Sequence, residues 1–475
     1  MVEPGAGASR RPAAVRVGAL AVLVVALSSL AISMGRDTVQ KVQTTHEMAQ
    51  PPTVVVIASD DQRWDTLDAM PRVQRLLMAH GVTFPNAYAT SPACCASRAS
   101  ILTGLYPLHT GVWRNDPPHG GFEAFDDAST LPVWLHDAGS ATGLFGKYLN
   151  GYEDAAQPYV PPGWTRWYSV WGDYFGYSGV DQTSLFVAGN DESDYSTDAE
   201  AARADAFIRE TEGPLFVYVG FAGVHEPFTP APRHRDEFTT LADWRPPSYN
   251  EADTSDKPRW VSRRGRLDAE ARRVVDHIRL DQYRGLLAVD EGVRRIVRAL
   301  DDTGRLSTSL IVFTSDNGFT WGEHRLFGKG DPYEESIRVP MVVRYDPVVQ
   351  DPGRSDDHLV LNIDVAPTVE DATGIAAPPM DGRSLLPLLD ASAPRWRRHF
   401  LTMKMGNQMP SFCQIHTATR VLTVYETGEE EDYLLSSDPF QLHNLAGSLR
   451  GERRRDALRE LLVDSCDPPP PDTSW

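Results

Sequence analysis

Asp60-Asp61 and Asp316-Asn317 lie far apart in the chain, yet each pair ends the same kind of apolar segment and offers only oxygen donors. Carboxylate and amide oxygens suit a hard divalent cation, Ca²⁺ or Mg²⁺, rather than zinc, and no His/Cys cluster has zinc spacing. One Asp-Asp pair after a strand usually caps a helix or a turn. Two such pairs, taken with the cysteine motif that follows, favour a shared metal site. A cysteine doublet opens the run Cys94-Cys95-Ala96-Ser97-Arg98-Ala99-Ser100-Ile101-Leu102-Thr103-Gly104, in which Arg98 supplies a rigid fork of donors for an anion. Three more ionisable groups stand in glycine-containing segments: Lys147 after Gly146, His225 in Gly223-Val224-His225-Glu226-Pro227, and Lys329 in Gly328-Lys329-Gly330. A lone Lys or His is ordinarily a surface residue. His225, however, follows a predicted strand, where it could protonate a departing alkoxide. His324, in Gly322-Glu323-His324, is a further candidate for a substrate contact.

The elements that must position these groups are legible. Thr53 to Ser59 is a short β-branched run, and the same form recurs from Ser309 to Ser315. Both predict buried parallel strands, each stopping at one of the oxygen-bearing pairs. In open α/β sheets ligands sit outside the carboxyl ends of strands, where the two pairs would converge. Further strands are predicted at Leu215 to Phe221 and Val339 to Arg344. A long helix is predicted from Asp268 to Leu300, because apolar residues recur there at spacings of three and four. Strands interleaved with helices predict an α/β fold with a mostly parallel, doubly wound sheet flanked by helices. From about Arg397 the pattern changes to a hairpin, Arg420 to Tyr425 and Tyr433 to Leu435, then a helix from Arg453 to Val463. The expected division is a catalytic domain over 53–396, a small C-terminal α+β subdomain over 397–466 and a Pro-rich tail over 467–475.

Taken together these motifs resemble the formylglycine-dependent sulfatases of the alkaline phosphatase-like superfamily. The fit runs through Cys94, Ala96-Ser97-Arg98 and Leu102-Thr103-Gly104, and extends from about Val54 to Leu445. Ala96 stands where the commonest form of the motif has Pro, and Leu149 where the family often has His. The cysteine doublet and Gly146-Lys147-Tyr148-Leu149-Asn150 look most like N-acetylglucosamine-6-sulfatase and arylsulfatase-type members. The resemblance implies that Cys94 is oxidised by a formylglycine-generating enzyme to an aldehyde that hydrates to a geminal diol. One hydroxyl would attack sulfur, and the other would later expel sulfate. It further implies that Asp60, Asp61, Asp316, Asn317 and the modified Cys94 hold Ca²⁺ or Mg²⁺, and that Arg98 steadies the hydrate. Lys147 and Lys329 would bind hydrate or sulfate oxygens, with His225 or Lys329 as general acid and His324 near the substrate. The substrate would be a sulfated sugar such as N-acetylglucosamine 6-sulfate, or an aryl sulfate. Two rivals remain: a phosphoester or phosphonate hydrolase of the same superfamily, and a catalytically silent glycan-binding relative. Asn317, where a phosphonate hydrolase tends to have His, and the full set of site residues weigh against them.

The formal net charge of −19 argues against nucleic acid as a partner, since phosphate binding wants a basic face. An acidic surface also means that any anion site must be a local cluster of cations and metal. Arg10, Arg11 and Arg16 precede an apolar or small run from Val17 to Met34, which predicts an export signal or signal anchor over 1–35. A polar linker over 36–52 follows. The expected location is outside the cytoplasm, secreted or attached to a membrane through that segment. Cys413 and Cys466 could clip the C-terminal region shut in an oxidising compartment, or remain two thiols.

Overall fold

Ser59 and Ser315 sit opposite each other at the ends of two parallel strands, and this register levels the two loops that follow. The computed structural model describes residues 51–473 apart from 156–157, 393, 408 and 450–451. The expected export segment and the linker up to residue 50 lie outside the described residues.

Ten strands form the central sheet: β1 (Val54–Ser59), β2 (Val82–Thr83), β3 (Ala141–Gly146), β4 (Arg166–Trp171), β5 (Ser178–Asp181), β6 (Ser184–Val187), β7 (Leu215–Gly220), β8 (Leu310–Ser315), β9 (Met341–Arg344) and β10 (Arg354–Ser355). Their order is β10-β2-β9-β8-β1-β7-β3-β4-β5-β6. The central run β8-β1-β7-β3-β4 is parallel, while β9 and the meander β5-β6 attach antiparallel at its flanks. The sheet is mostly parallel as expected; the antiparallel strand β6 is short and largely exposed, so it carries little periodic signal in the sequence.

The sheet is covered on both faces, and the period of two along β1 shows how. Val54, Val56 and Ala58 pack with Ala96, Ala99 and Ile101 of helix α1 (Cys94–Thr103). Val55 and Ile57 pack with Ala201 and Ile208 of α2 (Ser196–Glu210) and with Val289 and Ile296 of α3 (Ala269–Asp302). Asp268 caps α3 by accepting the Ala271 amide at 2.9 Å, so the helix starts one residue after the predicted position and runs two beyond its predicted end. Helix α4 (Val365–Thr373) joins α1 on the first face.

Beyond the central sheet, β11 (His399–Lys404), β12 (Phe412–Thr417), β13 (Val421–Tyr425) and β14 (Glu430–Tyr433) form an antiparallel sheet in sequence order. Helix α5 (Glu452–Ser465) packs on it through Leu462. A disulfide joins Cys413 of β12 to Cys466 just past α5, with the Cα atoms 6.6 Å apart. Among the described residues no helix is long and apolar enough to cross a membrane.

Candidate active site

Four strand ends and one helix start converge at the carboxyl edge of the sheet. β1 delivers Asp60 and Asp61, β8 delivers Asp316 and Asn317, β3 delivers Lys147, and β7 runs on through Ala222 to His225. The loops are tied together by backbone bonds: Asp60 N–H donates to Gly223 O at 3.1 Å, and Val224 N–H donates to Asp60 O at 2.8 Å. Tyr174 donates its hydroxyl to His225 O at 2.8 Å, which fixes that loop from the far side.

Helix α1 places the cysteine. Ala93 is extended, so Cys94 is the first helical residue, where unpaired amides and the helix dipole favour negative charge. The helix ends at Gly104, whose φ of 72° and close contact with Met380 leave no room for a side chain. Arg98 lies one turn after Cys94 and therefore on the same face. Its guanidinium donates to Asp316 at 2.7 Å, to Asp60 at 3.3 Å and to Lys147 O at 2.9 Å. Asp60 also receives Lys147 Nζ at 2.5 Å. Lys329 Nζ donates to Asp61 and lies 2.7 Å from Cys94 Sγ. Asn317 Nδ2 donates to Asp61 at 2.7 Å.

Three buried carboxylates thus face three cations, and each charge removed from water costs several kcal/mol unless it is paired this closely. Burial pushes the Asp60 carboxyl up, but Lys147, His225, Lys329 and Arg98 outweigh it and hold the group well below the usual carboxylate range. Burial likewise works against charge on Arg98 and Lys147, and the neighbouring carboxylates reverse it, raising both. Lys329 is raised well above the ordinary lysine value, with Asp61 the main opponent of burial. The Cys94 thiol is pushed up to about 11 by burial, against the pull of Lys147 and Lys329. As a thiol it is protonated at neutral pH and a weak nucleophile.

Donor atoms of Asp60, Asp61, Cys94 and Asp316 all lie within 4.8 Å of one another. Asn317 Oδ1 is buried beside them without a hydrogen-bond partner. Three carboxylates and a free amide oxygen are the donor set of a hard divalent cation, so the residues fit Ca²⁺ or Mg²⁺. His225 is about one-third exposed, and its Nε2 lies 4.0 Å from Asp61. Its Nδ1 is 2.8 Å from Glu226 O, and a carbonyl only accepts, so Nδ1 carries the hydrogen.

One expected contact is not brought here. His324 is fully buried, with Nδ1 2.7 Å from Glu251 and its ring stacked on Tyr333 at 4.0 Å. Burial lowers its basicity to about 3, so it serves as a neutral packing residue rather than a substrate contact. Cys95 is also buried, its amide donating to Asn115 at 3.0 Å. Two neighbours were not foreseen. Glu200 of α2 is completely buried, and burial raises its carboxyl to about 8. Lys404 of β11 is lowered to about 8 by burial, with Lys329 adding to that shift and Asp331 and Cys94 opposing it. Neither sits in a motif; only the folded sheet brings them near.

The family model described as Sulfatase matches residues 52–375, and one described as N-sulphoglucosamine sulphohydrolase, C-terminal, matches residues 322–466. The chain is 33% identical to the extracellular sulfatase SULF-1 homolog of Drosophila melanogaster over 75% of its own length, but it spans only 33% of that protein. It is 32% identical to the N-acetylglucosamine-6-sulfatase of Homo sapiens over 75% of its length and 67% of the relative's. Among solved structures, a protein in complex with its substrate D-glucosamine-2-N,6-O-disulfate superposes with a TM-score of 0.73 at 23% identity, covering 88% of this chain and 98% of the other.

Proposed function

The chain belongs to the sulfatase family, and we propose that it hydrolyses sulfate esters with a nucleophile made from Cys94. The observation that carries this reading is the placement of Cys94 at the start of α1, facing Lys329 at 2.7 Å amid the Asp60, Asp61 and Asp316 carboxylates. A buried neutral thiol there has little use as it stands. Oxidised to formylglycine by a formylglycine-generating enzyme and hydrated, the same position carries two hydroxyls.

One hydroxyl of residue 94 would pass its proton to a carboxylate beside it, such as Asp316, and attack sulfur in line with the departing alcohol. The bond from sulfur to the alcohol oxygen breaks, its electron pair goes to that oxygen, and His225 or Lys329 supplies the proton. Sulfate is then held on residue 94. The second hydroxyl would then give its proton to the group that protonated the alcohol, His225 or Lys329, the carbon–oxygen bond to sulfate would break, and the aldehyde would re-form as sulfate leaves. A serine or thiol could not complete that second half, because it has no second hydroxyl to collapse. Arg98, Lys147 and Lys329 are donors held in place by the Asp60, Asp61 and Asp316 carboxylates, where they offset charge on the sulfuryl oxygens. Asp60, Asp61, Asp316 and Asn317, with residue 94, would hold Ca²⁺ or Mg²⁺, whose charge would lower the cost of the same oxygens.

The names of the relatives support a sulfated sugar as substrate, such as N-acetylglucosamine 6-sulfate, with aryl sulfates as simpler surrogates. The extracellular relatives and the N-terminal sequence support export. The test is sulfate release from 4-nitrophenyl sulfate and N-acetylglucosamine 6-sulfate by protein co-produced with the maturation enzyme, with Cys94→Ala as control. Turnover lost in the variant supports the reading. Faster turnover of a matched phosphonate monoester would replace it with the phosphonate hydrolase alternative.

A further inference from the structure

A pocket shares Asp60, Lys147 and His225 with the catalytic centre. Its remaining walls are largely aromatic and apolar: Tyr148, Leu149, Tyr152, Trp171 and Tyr174. Two polar atoms on residues of this lining are buried without a partner, Ser196 Oγ and Asn150 Oδ1, and Ser196 is only 1% exposed. A buried hydroxyl and a buried carbonyl left unmatched each cost about 1–3 kcal/mol, so the wall of this pocket is held together at some expense in stability.

The charges of the lining are one-sided. Glu153, Asp173 and Glu226 are exposed on it, and none has an ion-pair partner among the described residues. The cations are Lys147, already bound to Asp60, and His225. With His225 as the proton source, one of the two candidates in the reaction proposed above, the alcohol half of the ester lies on its side, in this pocket.

We propose that the pocket takes the departing alcohol and selects an amino sugar whose nitrogen is free or acylated, against one that carries a second anionic group. The proposal rests on the sulfatase reading. Aromatic walls cover the C–H faces of a pyranose. A second sulfate or a carboxylate would meet three like charges, with Lys147 committed to Asp60 and His225 to the departing oxygen, and repulsion of that kind rejects a competitor without improving the preferred substrate.

The experiment compares kcat/KM for the 6-sulfates of glucosamine, N-acetylglucosamine and N-sulfoglucosamine on aldehyde-bearing enzyme, with 4-nitrophenyl sulfate as reference. The N-sulfo substrate is expected to be slower by about tenfold or more, the scale of one unscreened like-charge contact near a surface. The gap should narrow several-fold at high salt and in the triple variant Glu153→Gln, Asp173→Asn, Glu226→Gln. Equal or faster turnover of the N-sulfo substrate, or a gap that the triple variant leaves intact, overturns the proposal. Binding of glucosamine and N-sulfoglucosamine to the Cys94→Ala protein reads the pocket without turnover. Tighter binding of glucosamine supports the proposal there, and equal affinity overturns it. Failure of every sulfate ester, the aryl one included, would instead count against the sulfatase reading.

Discussion

Lys329 holds its ammonium 2.7 Å from the sulfur of Cys94, across 235 residues of sequence. The lysine sits between Gly328 and Gly330, which adopt φ of 104° and 102°, a backbone region that L side chains rarely enter. The turn therefore aims one cation at one nucleophile. Lys329→Ala is expected to lower kcat/KM about 10²–10³-fold, the usual cost of losing one fixed donor to developing charge. Steady-state kinetics on protein of matched aldehyde content checks this, and a loss below about threefold would remove Lys329 from the chemistry.

Asp316 lies within 4.8 Å of Asp60, Asp61 and Cys94 through its oxygen donors, and Asn317 Oδ1 waits beside it without a partner. Anything that binds only the folded state raises its stability. Added Ca²⁺ should therefore raise the Tm of the wild type, and a chelator should lower it. Asp316→Ala is expected to lose both responses together with bound metal measured by elemental analysis. An unchanged Ca²⁺ response in that variant would contradict the assigned donor set.

Arg98 has another role besides its place in the site. It bridges Asp316 and Asp60, both fully buried. Removing one partner from a buried pair costs about 3–5 kcal/mol, because the remaining charge keeps its desolvation penalty. Arg98→Met should lose stability on that scale in urea titration. Arg98→Lys should recover only part of it, since an ammonium cannot reproduce the fork to Asp316, Asp60 and the Lys147 carbonyl.

The positions of Asp60, Asp61, Asp316 and Asn317 could be read from sequence because a β-branched run and its terminal polar pair are local signals. Parallel pairing of Ser59 with Ser315 then brings both pairs together. The long helix was equally legible, since its buried stripe has the helical period. Glu200 was not. It lies within an ordinary helix, and only the packing of α2 against β3 and the sheet edge buries it. His324 misled for the opposite reason: a histidine after Gly-Glu looks available, but the fold seals it between Glu251 and Tyr333. The pocket built from Tyr148 to Trp171 combines loops that no motif connects.

Glu200 gives a pH dependence with a definite sign. Burial raises its folded carboxyl from the ordinary 4.5 to about 8, so the folded state binds the proton more tightly than the unfolded chain does. Its contribution is intact below pH 4.5 and is lost as pH rises through about 8. At constant Ca²⁺, the wild type should lose stability on the order of a few kcal/mol over that window. Glu200→Gln should show a flatter profile in urea titrations at pH 5 and 8. Parallel profiles for the two proteins would mean that Glu200 is ionised in the fold.

The most direct test of the central claim ties activity to the chemical state of residue 94. Preparations made with graded amounts of the maturation enzyme would be assayed for sulfate release, and the peptide carrying residue 94 weighed for thiol against aldehyde. The account predicts a rate proportional to the aldehyde fraction and extrapolating to zero without it. A rate independent of that fraction would contradict it, and would leave Cys94 a buried thiol in a site that works by other means.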